Sequence, residues 1–483
     1  MAQPFVEPCS RGVIEAEPCP RQLGREISLK RRRMVLAGCV LASSMAFIDG
    51  SALTVALPRL RAAFNADLAS VQWVLNGYLL ALASLTLIGG ALADDFGKAR
   101  MLSIGCMLFG AASVGCALAP TYVWLIFARV LQGIAAALLT PASLALIGAT
   151  YPKGERNRAI AVWAAASSLT TAAGPVLGGW LTETFGWQAM FWINPPFAVI
   201  SVGLLWAFAA EDQLEQRRFD VGGAIIIAAA LGALAWALSQ IGRSVSQSAT
   251  SPASNAAVVL VAGLGTVGFA AYVVWERVSK HPMTPPRLMR NRTFLGLNVA
   301  TLLVYAGLSS MFLLVPFDLV DSRGLPSTDA GLAFLPFTLG VGLLSRLFGS
   351  LADTIGARAM LITGPVGAAL AYIWMALGHH GSLTFGVIGP MALLGVSFAV
   401  LVAPLTASVI SSVEKSDEGL ASGINNAASR VAQLAGVAIA AGLGTIVRGY
   451  EVGLIAAAVA SIVGALVVAF MVPPMPVKHV TRS

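Results

Sequence analysis

"GALADDFGKARML" occupies Gly90 to Leu102, and "GSLADTIGARAML" occupies Gly349 to Leu361. Seven of the thirteen positions agree across a separation of 259 residues. Each copy sets a turn rich in glycine and charge into an otherwise apolar chain. One polar turn written twice in the same setting points to a duplicated unit, and the rest of the chain says what that unit is.

The 483 residues are 57% hydrophobic and 11% charged, with a mean hydropathy of +0.79. No soluble core absorbs that much apolar surface, so the composition implies a polytopic membrane protein. A hydrocarbon layer about 30 Å thick requires about 20 apolar residues per helical crossing. Fourteen runs meet this: 34 to 58, 71 to 93, 101 to 119, 123 to 149, 159 to 182, 188 to 209, 220 to 241, 257 to 275, 293 to 318, 329 to 352, 359 to 378, 385 to 411, 419 to 446 and 452 to 473. The Ser-rich "RSVSQSATSPAS" (Arg243 to Ser254) separates the seventh and eighth. A twelve-span reading would merge or demote the two, but each is long enough to cross, which gives fourteen.

With the N-terminus inside, the cytoplasmic segments collect 23 of the 31 Lys and Arg residues, the outer loops five and the helices three. That asymmetry predicts two cytoplasmic ends. Residues 1–33 form a polar tail ending in "KRRR", and the run that follows is too long for a signal-peptide core. The net charge of +8 reads as positive-inside bias and contact with anionic lipid, not nucleic-acid binding. The five Cys make neither a metal nor a disulfide framework, since two lie in the tail and three in helices. His379 and His380 are expected to be a solvated pair in a short outer loop, and no metal site is expected.

Each copy of the repeated turn falls at the cytoplasmic end of the second helix of a six-helix set. A weaker echo joins "AAGPVLGGWL" (Ala172 to Leu181) to "QLAGVAIAAGL" around Gly436, in the fifth helix of each set. The expected architecture is all-α: a tail (1–33), a six-helix bundle (34–209), two inserted helices with their loops (210–292), a second six-helix bundle (293–473) and a short cytoplasmic tail (474–483). Repeated halves about a central cavity are the build of alternating-access transporters.

Several motifs together resemble the major facilitator superfamily, specifically its fourteen-helix drug/proton antiporter branch, over nearly all of residues 34–473. They are "FIDGSALTVALP" (Phe47 to Pro58), with Thr54 where the branch usually has Asn, "QWVLNGYLL" (Gln72 to Leu80), and Gly90, Asp94 and Gly97 of the loop motif, with Asp95 where Arg is usual. "ARVLQGIAAAL" (Ala128 to Leu138), "GPVLGG" (Gly174 to Gly179) and "WQAMFWINPPFA" (Trp187 to Ala198) follow in order. The resemblance implies a multi-pass protein of the bacterial cytoplasmic (inner) membrane that exports toxic compounds or antibiotics against protons. It implies no cofactor beyond the proton gradient, and a monomer that acts alone or with accessory envelope proteins.

The residues carry a physical reading of their own. An ionisable side chain at bilayer depth costs roughly 2.5–3.5 kcal/mol or more, so it faces a cavity or a partner. Asp49 is the only acid well inside any run. It lies about 13 Å from the outer end of its helix and Arg129 about 9 Å from the outer end of its own, at 1.5 Å per residue, so the two can pair. Asp49 is expected to exchange the coupling proton, with Arg129 favouring its ionised form and desolvation its neutral form. The alternative is a static buried ion pair that only fixes the fold.

Gly174, Pro175, Gly178 and Gly179 are read as a flexing, tightly packed joint, against a plain alternative of small-residue helix packing. Gly90, Asp94, Gly97, Lys98, Arg100 and, in the second copy, Asp353 form a candidate latch between the halves, against the alternative of a solvated loop whose charges only set topology. Asn76, Tyr78, Gln132, Trp163, Asn194, Asn298, Tyr305 and Arg430 are the candidate cavity residues. Their mixture suits a small amphipathic organic molecule. Asp318 is read as a solvated helix end. An exporter of an endogenous lipid or metabolite on the same fold is the rival; a membrane enzyme lacks a clustered nucleophile or metal constellation, and a channel or receptor has no need of duplicated halves with one buried acid.

Overall fold

The computed structural model describes residues 28–66, 68–209, 220–246, 252–279, 286–414, 418–443 and 449–473. These contain helices and turns and no strand. The long helices are α1 (Leu29–Ala63), α2 (Leu68–Phe96), α3 (Lys98–Ala117), α4 (Tyr122–Thr150), α5 (Lys153–Phe185), α6 (Ala189–Phe208), α7 (Val221–Ser246) and α8 (Pro252–Val278). They continue as α9 (Arg292–Phe317), α10 (Leu335–Ile355), α11 (Ala357–Leu377), α12 (Gly389–Ser411), α13 (Glu418–Leu443) and α14 (Gly449–Met471). A one-turn π-helix, Asp318–Ser322, extends α9, and a short helix, Ser327–Leu332, precedes α10.

Local chemistry sets several boundaries. The Ser28 hydroxyl accepts from Arg31 N at the start of α1, Thr121 from Trp124 N at the start of α4, and Asn291 from Thr293 N and Phe294 N at the start of α9. Each satisfies an amide that has no partner within its helix. α5 bends by 40° between Arg158–Thr171 and Ala173–Phe185. Pro175 accounts for the bend, because its ring clashes with the carbonyl four residues back, at Thr171, and it has no N–H to give. Among the described residues ten helices are long and apolar enough to cross a membrane, or eleven when the two segments of α5 count as one span.

The packing repeats. In the first half α1 lies on α5 and α6, α4 on α2 and α3, and α3 on α6. In the second half α9 lies on α13 and α14, α12 on α10 and α11, and α11 on α14. These are the same five pairings displaced by eight helices. Between the halves α2 packs on α13, α5 on α10, and α1 on α9. α7 touches both α2 and α13, and α8 packs behind α7, so the insert covers one of the two seams.

The repeated turn is also repeated in its backbone. Gly97 has φ 100° and ψ 127°, and Gly356 has φ 97° and ψ 129°, each immediately before the next helix. Only glycine enters that region without steric cost, which explains why both copies keep it.

Each half has its own apolar core, but the cores merge at one end of the bundle. Leu313 and Leu314 of α9 and Leu434 and Val437 of α13 belong to the core of the first half, and Val55 of α1 to that of the second. All five lie toward the end where α1 finishes near Arg61, called here the Arg61 end; the opposite end, where α1 begins, is the Arg31 end.

Within the halves, backbones cross with no room for a side chain. A Cβ on Gly178 of α5 would overlap the Ala52 backbone of α1, and one on Gly436 of α13 would overlap Ala306 of α9. Gly178→Leu forces backbone against backbone, a strain no rotamer relieves, costing roughly 1–3 kcal/mol. We expect a lower melting temperature and loss of the monodisperse peak in size-exclusion chromatography. Gly203→Ala, which meets nothing within 4 Å, should leave both unchanged.

Candidate functional site

Five of the six helices of the first half converge on one carboxylate. Asp49 of α1 is ion-paired through Oδ2 to Nη1 of Arg129 on α4. Its Oδ1 accepts from Nε2 of Gln132 at 3.0 Å and from Nδ2 of Asn194 on α6 at 3.3 Å. The same two amide groups donate to Ser113 Oγ on α3, at 2.7 and 3.1 Å. Gln132 Oε1 in turn accepts from Arg129 Nη1 at 2.6 Å, and Arg129 Nε donates to the Val74 carbonyl of α2 at 3.0 Å. Asp49 is 4% exposed, Arg129, Gln132 and Ser113 are fully buried, and Asn194 is 1% exposed.

The arrangement follows from the sequence locally. Arg129 and Gln132 are three residues apart on α4 and share a face, so one helix supplies both the cation and the amide. Hydrogen bonds to charged partners are the strong ones, and both carboxylate oxygens of Asp49 receive them. The network is not closed. Arg129 Nη2 and Asn194 Oδ1 are buried without a hydrogen-bond partner. The guanidinium instead lies over the Tyr78 ring, 4.2 Å from its centroid, and Tyr78 donates through its hydroxyl to the Ala46 carbonyl at 3.2 Å.

The structure therefore divides the eight candidate cavity residues. Gln132 and Asn194 bind Asp49 directly, and Tyr78 stacks on its arginine. Trp163 of α5 donates to Ser43 of α1 at 3.0 Å. Asn298 of α9 accepts from Asn425 of α13 at 3.2 Å, and Tyr305 packs edge-on against Phe398. Asn76 is 1% exposed with both amide atoms unpartnered. Arg430 of α13 is half-buried; it donates to Gln433 at 3.2 Å and lies 5.5 Å over the ring of Phe47, two residues before Asp49. It also lies within electrostatic reach of Tyr78 and Tyr305. Arg129 thus lies over Tyr78 and Arg430 over Phe47, so each half presents an arginine to an aromatic ring near Asp49.

At the Arg61 end the halves are fastened by polar contacts. Arg59 of α1 is paired with Glu183 of α5 at 2.8 Å and donates to Ser327 Oγ of the second half at 3.3 Å, while Ser327 N donates to Glu183 at 3.0 Å. Arg61 pairs with Asp321 across the halves at 2.8 Å. Beneath them, Gly179 of α5 lies against the Ser327 carbonyl, and Gly331 lies against the Pro175 carbonyl. Gly174 lies against Ser51 of α1, so the glycine motif backs onto α1 through one face and onto the second half through the next. At the Arg31 end Arg31 donates to the Phe208 and Ala209 carbonyls and Arg358 to the Ala469 carbonyl, each within its own half.

In the repeated turn, Gly90 faces Pro141 of α4 at van der Waals distance, Gly97 makes the reversal described above, Lys98 is half-buried with a partner and Arg100 is exposed. The side chains of Asp94 and Asp353 lie outside the described residues. Two readings are corrected. Asp318 is no solvated helix end: it is 4% exposed and paired with Arg323 at 2.8 Å and His379 at 3.4 Å. His379 and His380 are not an equivalent solvated pair either, since their side chains are 21% and 86% exposed. The π-turn that tips Asp318 inward leaves no periodic trace in the sequence. Among the described residues no group of three or more His, Cys, Asp or Glu side chains could hold a metal.

A profile of the Major Facilitator Superfamily matches residues 39–289 and 297–483. The multidrug resistance protein Stp of Mycobacterium tuberculosis (strain ATCC 25618 / H37Rv) is 32% identical over 412 residues, covering 84% of this chain and 74% of that protein. The lincomycin resistance protein of Streptomyces lincolnensis is 30% identical over 399 residues, covering 82% of this chain and 81% of the relative. Among solved structures, a peptide transporter POT in complex with sulfate superposes with a TM-score of 0.66 at 16% identity, over 91% of this chain and 94% of that one. Matched from α1 through α14, this multi-pass membrane chain belongs to the Major Facilitator Superfamily.

Proposed function

We infer that this chain is a proton-coupled exporter of small amphipathic organic compounds, taking all fourteen helices as membrane spans, with two six-helix halves that rock about a central site. The observation that carries the reading is the Asp49 network: a deep carboxylate paired with one arginine, on which Tyr78 stacks. The relatives' names, multidrug and lincomycin resistance, agree with drug-like cargo.

The coupling works through charge balance. With Asp49 ionised, Arg129 has a counter-ion, and the pair is neutral in a site that water does not reach. A proton on Asp49 removes the acceptor charge and leaves Arg129 as an uncompensated buried cation, a state worth roughly 3–5 kcal/mol of destabilisation if nothing moves. The guanidinium must then find other acceptors, and Tyr78 and Arg430, next in line, shift with it. Cargo is expected to rest among Asn76, Tyr78, Tyr305 and Arg430, where hydrogen-bond groups and rings face each other from α2, α9 and α13.

The distribution of Lys and Arg supports placing the Arg31 end and both termini in the cytoplasm, so the merged cores and ion pairs at the Arg61 end support an outward-closed state. The contacts that shut this end are the Arg61–Asp321 pair across the halves and the Arg59–Glu183 pair bonded to Ser327, with side chains a third to a half exposed, each pair worth about 0.2–1 kcal/mol. Pairs that weak suit a gate that must open in every cycle. The glycine joint of α5 supplies the close packing underneath.

Three outcomes are expected. In proteoliposomes with an imposed proton gradient, the native chain expels an amphipathic dye, and Asp49→Asn inserts normally but loses gradient-driven efflux by about tenfold or more, the scale of a 1–3 kcal/mol coupling. Full activity in that variant would remove Asp49 from the mechanism. Arg61→Ala combined with Arg59→Ala should shift the closed-to-open ratio at the Arg61 end by no more than about thirtyfold, read as labelling of a cysteine placed beneath the gate.

A further inference from the structure

The π-turn after α9 carries two carboxylates with different neighbours. Asp321 reaches across the halves to Arg61 at 2.8 Å. Asp318, three residues earlier, turns into the second half and is 4% exposed. Its Oδ2 accepts from Arg323 Nε at 2.8 Å, and its Oδ1 faces His379 Nδ1 at 3.4 Å. Neither Asp318 Oδ1 nor His379 Nδ1 has a hydrogen-bond partner elsewhere, and both are buried. Two buried, unpartnered polar atoms 3.4 Å apart make a place for one proton. π-turns are rare and gather at functional positions.

We propose that His379 and Asp318 form a second proton-binding site, separate from Asp49, whose occupancy sets closure of the Arg61 end. This rests on the alternating-access reading above. Imidazole is the side chain whose ordinary charge change falls between pH 5 and 8, and the His380 ring, whose side chain is 86% exposed, lies 4.7 Å from His379, centroid to centroid. The other groups around the site are fixed in sense. Arg323 is a permanent cation that also donates to the His379 and Gly381 carbonyls. Tyr450 of α14 stacks on His379 at 4.5 Å with its hydroxyl unpartnered. Glu451 lies 3.7 Å from His380.

The step is a transfer of one proton from solvent, by way of His380, to His379 Nδ1, where it forms a hydrogen bond to Asp318 Oδ1. No other bond is made or broken. Protonated His379 gives Asp318 a second cationic partner beside Arg323 and fixes the π-turn, and the fixed turn presents Asp321 to Arg61. Neutral His379 leaves Asp318 with Arg323 alone and the turn free to swing. Sign and direction then agree with export against protons: acid on the Arg61 side favours closing that side.

The test is a distance measurement by pulsed electron paramagnetic resonance on the full chain in lipid nanodiscs, with the native cysteines replaced and spin labels at Thr184 and Asp329. The closed population should rise between pH 8 and pH 5.5. Asp49→Asn should retain that rise, whereas His379→Gln should be flat across the range with an unchanged size-exclusion profile. Asp318→Asn, a second variant that keeps shape and removes charge, should be flat as well. A rise retained in both His379→Gln and Asp318→Asn, or absent from the native chain, overturns the proposal. A rise lost only in Asp49→Asn overturns it while leaving the coupling role of Asp49 intact, and failure of the latter is read separately, in the liposome assay.

Discussion

The carboxylate of Asp49 has to be satisfied at a depth where no water reaches it, and the first half is arranged around that need. Four side chains from three other helices converge on it or on its partners, and a backbone carbonyl of a fourth receives the arginine. Breaking one member exposes the rest, since removing an acceptor leaves a buried cation and removing a donor leaves a buried anion. That interdependence lets a single proton have a large effect. In water the same proton would alter one hydrogen bond; here it unbalances a cluster on which five helices have settled.

Strength is distributed unevenly on either side of this cluster. Within a half the helices cross with glycine against backbone, a contact whose dispersion energy is lost entirely when a methyl group intrudes. Between the halves the fastening at the Arg61 end is one partly exposed ion pair, Arg61–Asp321, and the hydrogen bonds of Arg59 and Glu183 to Ser327, above a small-residue contact. The halves are therefore stiff and the seam is cheap to part, which is what rigid-body rocking requires. The glycine motif of α5 serves both demands, because Gly174 and Gly178 bind it to its own half while Gly179 faces the other.

Much of this was legible in the residues, for physical reasons that differ from place to place. Hydrophobic run length fixed where the helices lie, because backbone amides in lipid leave few other solutions. The pairing of Asp49 with Arg129 followed from depth alone, since each needs the other. Gln132 and Asn194 were recognised as polar and inward but were assigned to a cavity; nothing in a single helix says that Gln132 curls back toward its own arginine. Ser113 left no signal, being one small polar residue in "GAASVG". Asp318 and His379 escape a sequence reading because their contact joins a π-turn to a loop 61 residues further on, and periodicity is blind to both.

The insert α7–α8 breaks an otherwise even design. It lies along the junction of α2 with α13 and leaves the junction of α5 with α10 bare, so the two flanks of the molecule present unequal fences to the surrounding bilayer. A greasy compound dissolved in the membrane leaflet has a shorter way in through the unfenced flank than through the one walled by two extra helices. Any sideways admission of cargo from lipid would accordingly be one-handed, past the bent, proline-bearing α5, in a chain whose duplicated halves would by themselves have offered two doors.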